Sequence, residues 1–110
     1  MSLSEKHCVH GACALDQSVI DLLLPEVPGW VQQDDHLVKS FEFKDYHETM
    51  EFVNALAWMT HAQDHHPELT VRYRHCIVAY ATHTAGNKIS ENDFICAAKA
   101  NAIYDQRARA

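Results

Sequence analysis

Residues 61–83 read HAQDHHPELTVRYRHCIVAYATH, and this stretch holds the signals that decide the fold. Pro67 restricts the residue before it to extended backbone, so a helix that arrives from the N-terminal side has to end by His66. Two alternating runs rich in β-branched and aromatic residues follow at 69–73 and 76–82, separated by a short turn. The stretch therefore predicts a helix end, a His-His-Pro connection and an antiparallel hairpin.

Similar signals divide the rest of the chain into helices and strands. Asp45 with Glu48 three residues later has the form of a capping box, and so does Ser90 with Asp93. Each pair opens a run with apolar residues at helical spacing. The predicted elements are a helix at 19–24, strands at 30–32 and 37–43, a helix from 46 to 61 or 62, strands at 69–73 and 76–82, and a helix from the Ser90 cap to 104.

This order, α-β-β-α-β-β-α, predicts an α+β fold. Hairpins separated by one long helix favour antiparallel pairing, because a parallel sheet needs a long crossover between its strands. We expect a two-layer sandwich in which three helices cover one face of a four-stranded antiparallel sheet. A chain of 110 residues has room for one core, so residues 1–110 are predicted to form a single domain with residues 1–14 as a flexible N-terminus.

The charge pattern argues against several classes of function. The formal net charge is −6 and the nine Lys and Arg residues are scattered, so no basic surface is available for direct nucleic-acid binding. The longest apolar run near the N-terminus, at 19–24, is interrupted by Asp21 and stops at Pro25, which is too short for a signal peptide core or a membrane span. We therefore expect a cytoplasmic protein with no membrane partner.

Four cysteines are present, and two of them lie in an N-terminal HCVHGAC motif. His7, Cys8, His10 and Cys13 are residue types that bind zinc, but their spacing matches no common zinc finger and there is no second half-site. The alternative is a mobile terminus without a metal, and the sequence leaves both open. The other two cysteines lie in apolar periodic segments, where a free thiol packs as a small hydrophobe.

Five of the nine histidines lie within residues 61–83, and three interpretations compete for them. The first is a metal site, because His61 and His65 are four apart and would share a helix face, although the Glu of an HExxH motif is missing. The second is that the imidazoles are simply solvated. The third is acid-base catalysis without a metal, since His65 and His83 can converge on one pocket from different elements and imidazole exchanges protons near neutral pH.

Several short motifs in this half of the chain occur together in one known family. They are Asp-His-His-Pro-Glu at 64–68, Tyr73, Thr-His at 82–83, a loop that contains Gly86, and Ser-Glu-Asn-Asp at 90–93. In this combination the sequence resembles the pterin-4a-carbinolamine dehydratase family, over nearly the whole chain from around Leu22 to Tyr104. Pro-Gly-Trp at 28–30 and Phe-Glu-Phe-Lys-Asp at 41–45 look like that family's first hairpin and the start of its long helix.

The resemblance implies an enzyme that dehydrates 4a-hydroxytetrahydropterin, the by-product of aromatic amino-acid hydroxylases, to quinonoid dihydropterin. It implies neither a metal nor another cofactor, because the pterin is itself the substrate. The residues that it assigns to the site are the acid-base pair His65 and His83, the substrate contact His66, and the binding or orienting positions Asp64, Asp93 and His61.

The resemblance also implies partners, and the chain departs from the family pattern in places. Members commonly form homodimers or homotetramers, and animal members also act as dimerisation cofactors of a homeodomain transcription factor, so a binding or regulatory module is the alternative function. His61 stands where the family usually has an acidic residue, and Leu69 and Val71 replace a common aromatic residue and a common polar amide. The resemblance leaves the preferred pterin side chain open.

Overall fold

The computed structural model describes residues 2–107, and its elements follow the order predicted from the sequence. The helices are α1 (Gln17–Leu23), α2 (Tyr46–Gln63) and α3 (Glu91–Arg107), and the strands are β1 (Val31–Gln33), β2 (His36–Glu42), β3 (Glu68–Val71) and β4 (His75–Tyr80). Short 3-10 turns lie at Leu3–Glu5, Leu24–Glu26 and His83–Ala85. No helix within residues 2–107 is both long and apolar enough to cross a membrane.

The strands form one antiparallel sheet in the order β1-β2-β4-β3. β2 and β4 are its central pair, with Leu37 opposite Tyr80 and Phe41 opposite Cys76. Because side chains alternate along a strand, these four residues share one face of the sheet, and all four are buried. The other face carries exposed residues such as Ser40, as the alternation in the sequence predicted.

The helices supply the second layer and close the core over the buried face. Phe52 and Leu56 of α2 and Phe94 of α3 are at most 2% exposed, and Ile20 of α1 joins the same core. The ring of Phe52 lies 4.7 Å from that of Phe41 on the sheet. Each such side chain stabilises the fold by about 1.5–3 kcal/mol relative to an exposed position. The predicted α+β two-layer sandwich is confirmed.

The ends of α2 and β4 place the histidine segment. α2 is closed by Asp64, whose φ of 50° lies in the left-handed region and turns the chain sharply out of the helix. β4 ends at Tyr80 and not at Thr82 as predicted, because Thr82 leaves the sheet and forms an isolated bridge with the loop before α3. His83 consequently begins a 3-10 turn and does not close a strand.

Residues 2–14, which we call the N-terminal strap, lie against α3, and the flexibility expected of the N-terminus stays a prediction. Leu3 is 6% exposed and joins the core, and Lys6 forms an ion pair of 3.2 Å with the first residue of α3. Ala14 forms a backbone bridge with Ser90, just before α3. This packing has no signal in the sequence, because a single leucine among polar residues shows no periodicity.

Candidate active site

A cleft of about 420 Å³ opens where the N-terminal strap, the end of α2 and the connection from β4 to α3 meet. This volume is typical of small-molecule sites. Its lining residues are Cys8, Val9, His10 and Gly11 from the strap, Gln63, Asp64, His65 and His66 from the end of α2, and Ala81, Thr82, His83, Thr84 and Asn92 from the connection and the start of α3. The fold therefore brings the three histidines of the predicted site to one cleft.

His65 is the buried histidine of the cleft, at 8% exposure. Its Nε2 lies 2.6 Å from Oδ1 of Asp93. Its ring stacks on that of Tyr80, with centroids 5.7 Å apart and an angle of 7° between the planes. A carboxylate on one nitrogen and an aromatic ring against one face hold the imidazole in a single orientation.

Asp93 is fully buried, and both of its carboxylate oxygens have partners. While Oδ1 contacts His65, Oδ2 accepts hydrogen bonds from the backbone N–H of Ser90 and from the hydroxyl of Thr82, each at 2.8 Å. The bond from Ser90 is the one that a capping box makes at the start of a helix. The sequence left open whether Asp93 caps α3 or orients a histidine, and in the structure it contacts both.

The surroundings of His65 act on its proton in opposite directions. Burial disfavours the charged imidazolium, but the hydrogen bond to Asp93 and the charge of its carboxylate outweigh burial, so the pKa of His65 is raised above its ordinary value. A raised pKa keeps the imidazolium populated at neutral pH. The geometry therefore equips His65 to donate a proton.

His66 and His83 lie on the open side of the cleft, and both are exposed. Nδ1 of His83 lies 3.2 Å from the amide oxygen of Asn87, which is exposed as well. Asp64 also lines the cleft, and its left-handed backbone is a conformation that Asp adopts more readily than most residues. The cleft thus combines one buried, held imidazole with three exposed ones, those of His10, His66 and His83.

The structure does not bring His61 into the cleft lining. His61 is exposed in the last turn of α2. The carboxylate that contacts His65 belongs to Asp93 on α3 and not to a residue of α2. Within residues 2–107, no group of three or more His, Cys, Asp or Glu side chains is arranged to hold a metal ion, and this part of the chain includes the HCVHGAC motif. The contact between His65 and Asp93 is one that acid-base chemistry can use.

Sequence reasoning missed two parts of the site. Thr82 and Ser90 hold the carboxylate of Asp93, and a signal for Ser90 was present, because it stands three residues before Asp93 in a capping-box pattern. Residues 8–11 form a wall of the cleft, although the motif that contains them was interpreted either as a metal site or as a mobile terminus. No pattern in the sequence places this wall beside His65.

The sequence matches a known family over most of its length. Residues 14–103 match the family model described as Pterin 4 alpha carbinolamine dehydratase. A protein named "putative pterin-4-alpha-carbinolamine dehydratase" from Xanthomonas euvesicatoria pv. vesicatoria (strain 85-10) is 46% identical over 109 residues, which cover 94% of this chain and 92% of that protein. A protein of the same name from Xylella fastidiosa (strain 9a5c) is 44% identical over 111 residues, covering 96% and 95% of the two chains.

A solved structure shows the same architecture. The crystal structure of transcriptional coactivator/pterin dehydratase from Brucella melitensis superposes with a TM-score of 0.77 and 34% sequence identity. The match covers 82% of this chain and 97% of that chain. The family match, the relatives and the shared fold agree, and the chain therefore belongs to the pterin 4 alpha carbinolamine dehydratase family.

Proposed function

We propose that the protein dehydrates 4a-hydroxytetrahydropterin to quinonoid dihydropterin by histidine acid-base catalysis. The observation that carries the proposal is a pair of imidazoles on one cleft, with His65 buried against Asp93 and His83 exposed. Membership of the family supports the reaction class, and the two imidazoles are groups that can perform it.

The reaction needs one proton donor and one proton acceptor. The bond from C4a to the hydroxyl oxygen breaks while the lone pair of N5 forms a double bond to C4a. The hydroxyl takes up a proton and leaves as water, and N5 gives up its own proton, so that the two transfers balance. A positioned acid or base contributes about 10²- to 10⁴-fold to such a step.

We assign the donor role to His65 and the acceptor role to His83. The raised pKa of His65 favours its protonated form, and because Asp93 occupies Nε2, the proton passes to the substrate through Nδ1. The exposed ring of His83 is accessible to a bound substrate from the open side of the cleft. His66 and Asp64 line the same cleft and are assigned to substrate contact.

The decisive experiment follows freshly generated carbinolamine in a stopped-flow spectrophotometer, with and without the protein. We expect the protein to accelerate loss of the carbinolamine signal over the spontaneous reaction. A protein with the circular dichroism of a folded α+β domain that leaves the spontaneous rate unchanged would contradict the proposal. Treatment with a metal chelator before the assay tests the metal-free mechanism, which requires that the rate stays the same.

The second candidate is a binding or regulatory module on the same fold. It is favoured by the similarity to a protein described as both a transcriptional coactivator and a pterin dehydratase. Trp58 on α2 is 80% exposed, and large exposed apolar side chains are common at protein interfaces. A folded protein without dehydratase activity would favour this candidate.

We also propose that the protein forms a homo-oligomer. β3 is an edge strand, and all four of its residues are exposed, so its outer backbone groups are available to a second copy. Light scattering at several concentrations measures the mass directly. A monomer throughout the range would contradict this proposal without affecting the catalytic one.

A further inference from the structure

The N-terminal strap is attached to the cleft by reversible polar contacts. The backbone N–H of Cys8 donates to Oε1 of Gln63 at 2.8 Å. Asn92 at the start of α3 accepts from the N–H of Val9 at 3.0 Å and donates to its carbonyl oxygen at 2.8 Å. The residues around Cys8 have no regular secondary structure, so these bonds and side-chain packing hold this wall of the cleft in place.

Two thiols meet beneath this wall. Sγ of Cys8 lies 3.5 Å from Sγ of Cys96, although the two residues are 88 positions apart in the chain. Cys96 is fully buried on α3, one helical turn after Asp93, whereas Cys8 is half-buried and lines the cleft. One member of the pair is therefore fixed in the core, and the other is accessible from the cleft.

We propose that Cys8 and Cys96 are a redox pair whose disulfide locks the N-terminal strap onto α3 beside the cleft. A disulfide has an S–S distance of about 2.05 Å, so the sulfurs have to approach by roughly 1.5 Å. Cys8 can supply this movement because the backbone around it belongs to no helix or strand. The inference concerns the HCVHGAC motif, for which the proposed dehydratase mechanism has no use.

A peroxide is the class of oxidant that completes the chemistry. The thiolate of Cys8 attacks one peroxide oxygen, the O–O bond breaks, and a sulfenic acid forms with release of water. The sulfur of Cys96 then attacks the sulfenic sulfur, which releases the second water and forms the disulfide. In total, two thiols lose two hydrogens and hydrogen peroxide becomes two waters, and a small-molecule thiol reverses the reaction by exchange.

The surroundings favour Cys8 as the attacking group. The hydrogen bond with Cys96 lowers the pKa of Cys8, burial opposes this, and the charge of nearby His65 lowers the pKa further. The pKa of Cys96 is raised, first by the same hydrogen bond and then by burial. Because Cys8 lines the cleft and Cys96 is fully buried, the accessible sulfur reacts first with the peroxide and the buried one resolves it.

The test uses intact-mass analysis and peptide mapping of the full chain after exposure to hydrogen peroxide. We expect the mass to fall by a pair of hydrogens and mapping to recover a Cys8–Cys96 crosslink, which a thiol reductant removes. Cys8→Ser is expected to abolish the crosslink, and Cys13→Ser, the matched control at an exposed cysteine of the same strap, is expected to retain it.

Urea unfolding provides a second measurement, which detects the disulfide without a ligand or an activity assay. A crosslink between residues 88 positions apart restricts the unfolded chain, so the oxidised protein is expected to unfold at a higher urea concentration than the reduced one. Oxidised Cys8→Ser should show no such rise. A Cys8–Cys13 crosslink, a crosslink between two chains, or oxidation of Cys8 to a sulfinic acid without any crosslink would overturn the proposal.

Discussion

The two imidazoles that we assign to proton transfer lie on one cleft in opposite surroundings. His65 is buried, stacked on Tyr80 and bound to a carboxylate that is itself held by Ser90 and Thr82. His83 is exposed in a short turn, and its contact is with the exposed Asn87. The core and the start of α3 thus hold one side of the site, while solvent surrounds the other.

This difference indicates how the work is divided between the two sides. The buried side is organised before substrate arrives, because both oxygens of the Asp93 carboxylate have their partners without a ligand. The exposed side, with His66 and His83, admits the substrate and can adjust to it. Substitutions that remove a hydrogen-bonded group from the buried side should therefore lower stability and catalysis together, whereas those on the exposed side should change catalysis or binding alone.

The largest effects are expected for the two imidazoles themselves. His65→Ala and His83→Ala should each lower kcat by about 10²- to 10⁴-fold, the usual contribution of a positioned acid or base. His65→Ala should also destabilise the fold, since it leaves Oδ1 of the buried Asp93 without its partner, whereas His83→Ala should leave stability unchanged. Steady-state dehydration kinetics and urea unfolding measure the two effects.

The matched control is His47→Ala, at an exposed histidine in the first turn of α2 that lies outside the cleft lining. It should show the kcat and the stability of the natural chain. Turnover at the natural rate in both His65→Ala and His83→Ala would remove both residues from the mechanism.

The next effect concerns the carboxylate that organises the buried side. Asp93→Asn should lower the free energy of unfolding by about 1.5–3 kcal/mol, because hydrogen bonds to a buried charged group are lost or weakened. The raised pKa of His65 makes this loss pH-dependent. The stabilisation that the His65–Asp93 pair gives the fold is complete below about pH 6.5, the pKa of His65 in the unfolded chain, and it disappears as pH rises through the higher pKa in the folded protein. The destabilisation should therefore be larger at low pH.

Urea unfolding of Asp93→Asn and of Asp105→Asn, at an exposed position on the same helix, separates the network from a general effect of charge on α3. Equal stabilities for the two variants at every pH would contradict the organised buried side.

A smaller effect is expected for His66. The exposed ring of His66 on the open side of the cleft is assigned to substrate contact. We therefore expect His66→Ala to raise KM by roughly 10-fold with kcat nearly unchanged, because the lost contact stabilises the bound substrate and the transition state equally. Substrate-dependence curves for the variant and the natural chain measure both constants. A fall in kcat at constant KM would instead assign His66 to the chemical step.

The smallest effect is expected for Tyr80, whose ring stacks on the imidazole of His65. The hydroxyl of Tyr80 is buried beside the side chain of Thr60 but makes no hydrogen bond of good geometry within residues 2–107. Tyr80→Phe keeps the aromatic ring against the imidazole and removes a polar group whose burial is unfavourable, so stability should stay the same or rise by about 1 kcal/mol. A destabilisation larger than that, seen as a lower urea midpoint, would show that the hydroxyl has a partner in solution.

The contrast between the buried and the exposed side of the cleft also explains which features could be predicted from the sequence. Local signals were sufficient for the fold, since capping residues, Pro67 and alternating strands predicted the α+β sandwich. The accessible histidines also stood out through the His-His-Pro and Thr-His motifs. The dual contact of Asp93 and the strap wall at 8–11 could not be predicted, because both depend on which surfaces pack together and not on spacing along the chain.

The pH dependence of kcat/KM for carbinolamine dehydration, compared between the natural chain and Asp93→Asn, measures whether Asp93 sets the pKa of the proton donor His65. Activity should fall as pH rises through the raised pKa of His65, because the proton donor is then lost, and this fall should move to lower pH in Asp93→Asn. A profile that Asp93→Asn leaves unchanged, or the absence of acceleration at any pH, would contradict the account.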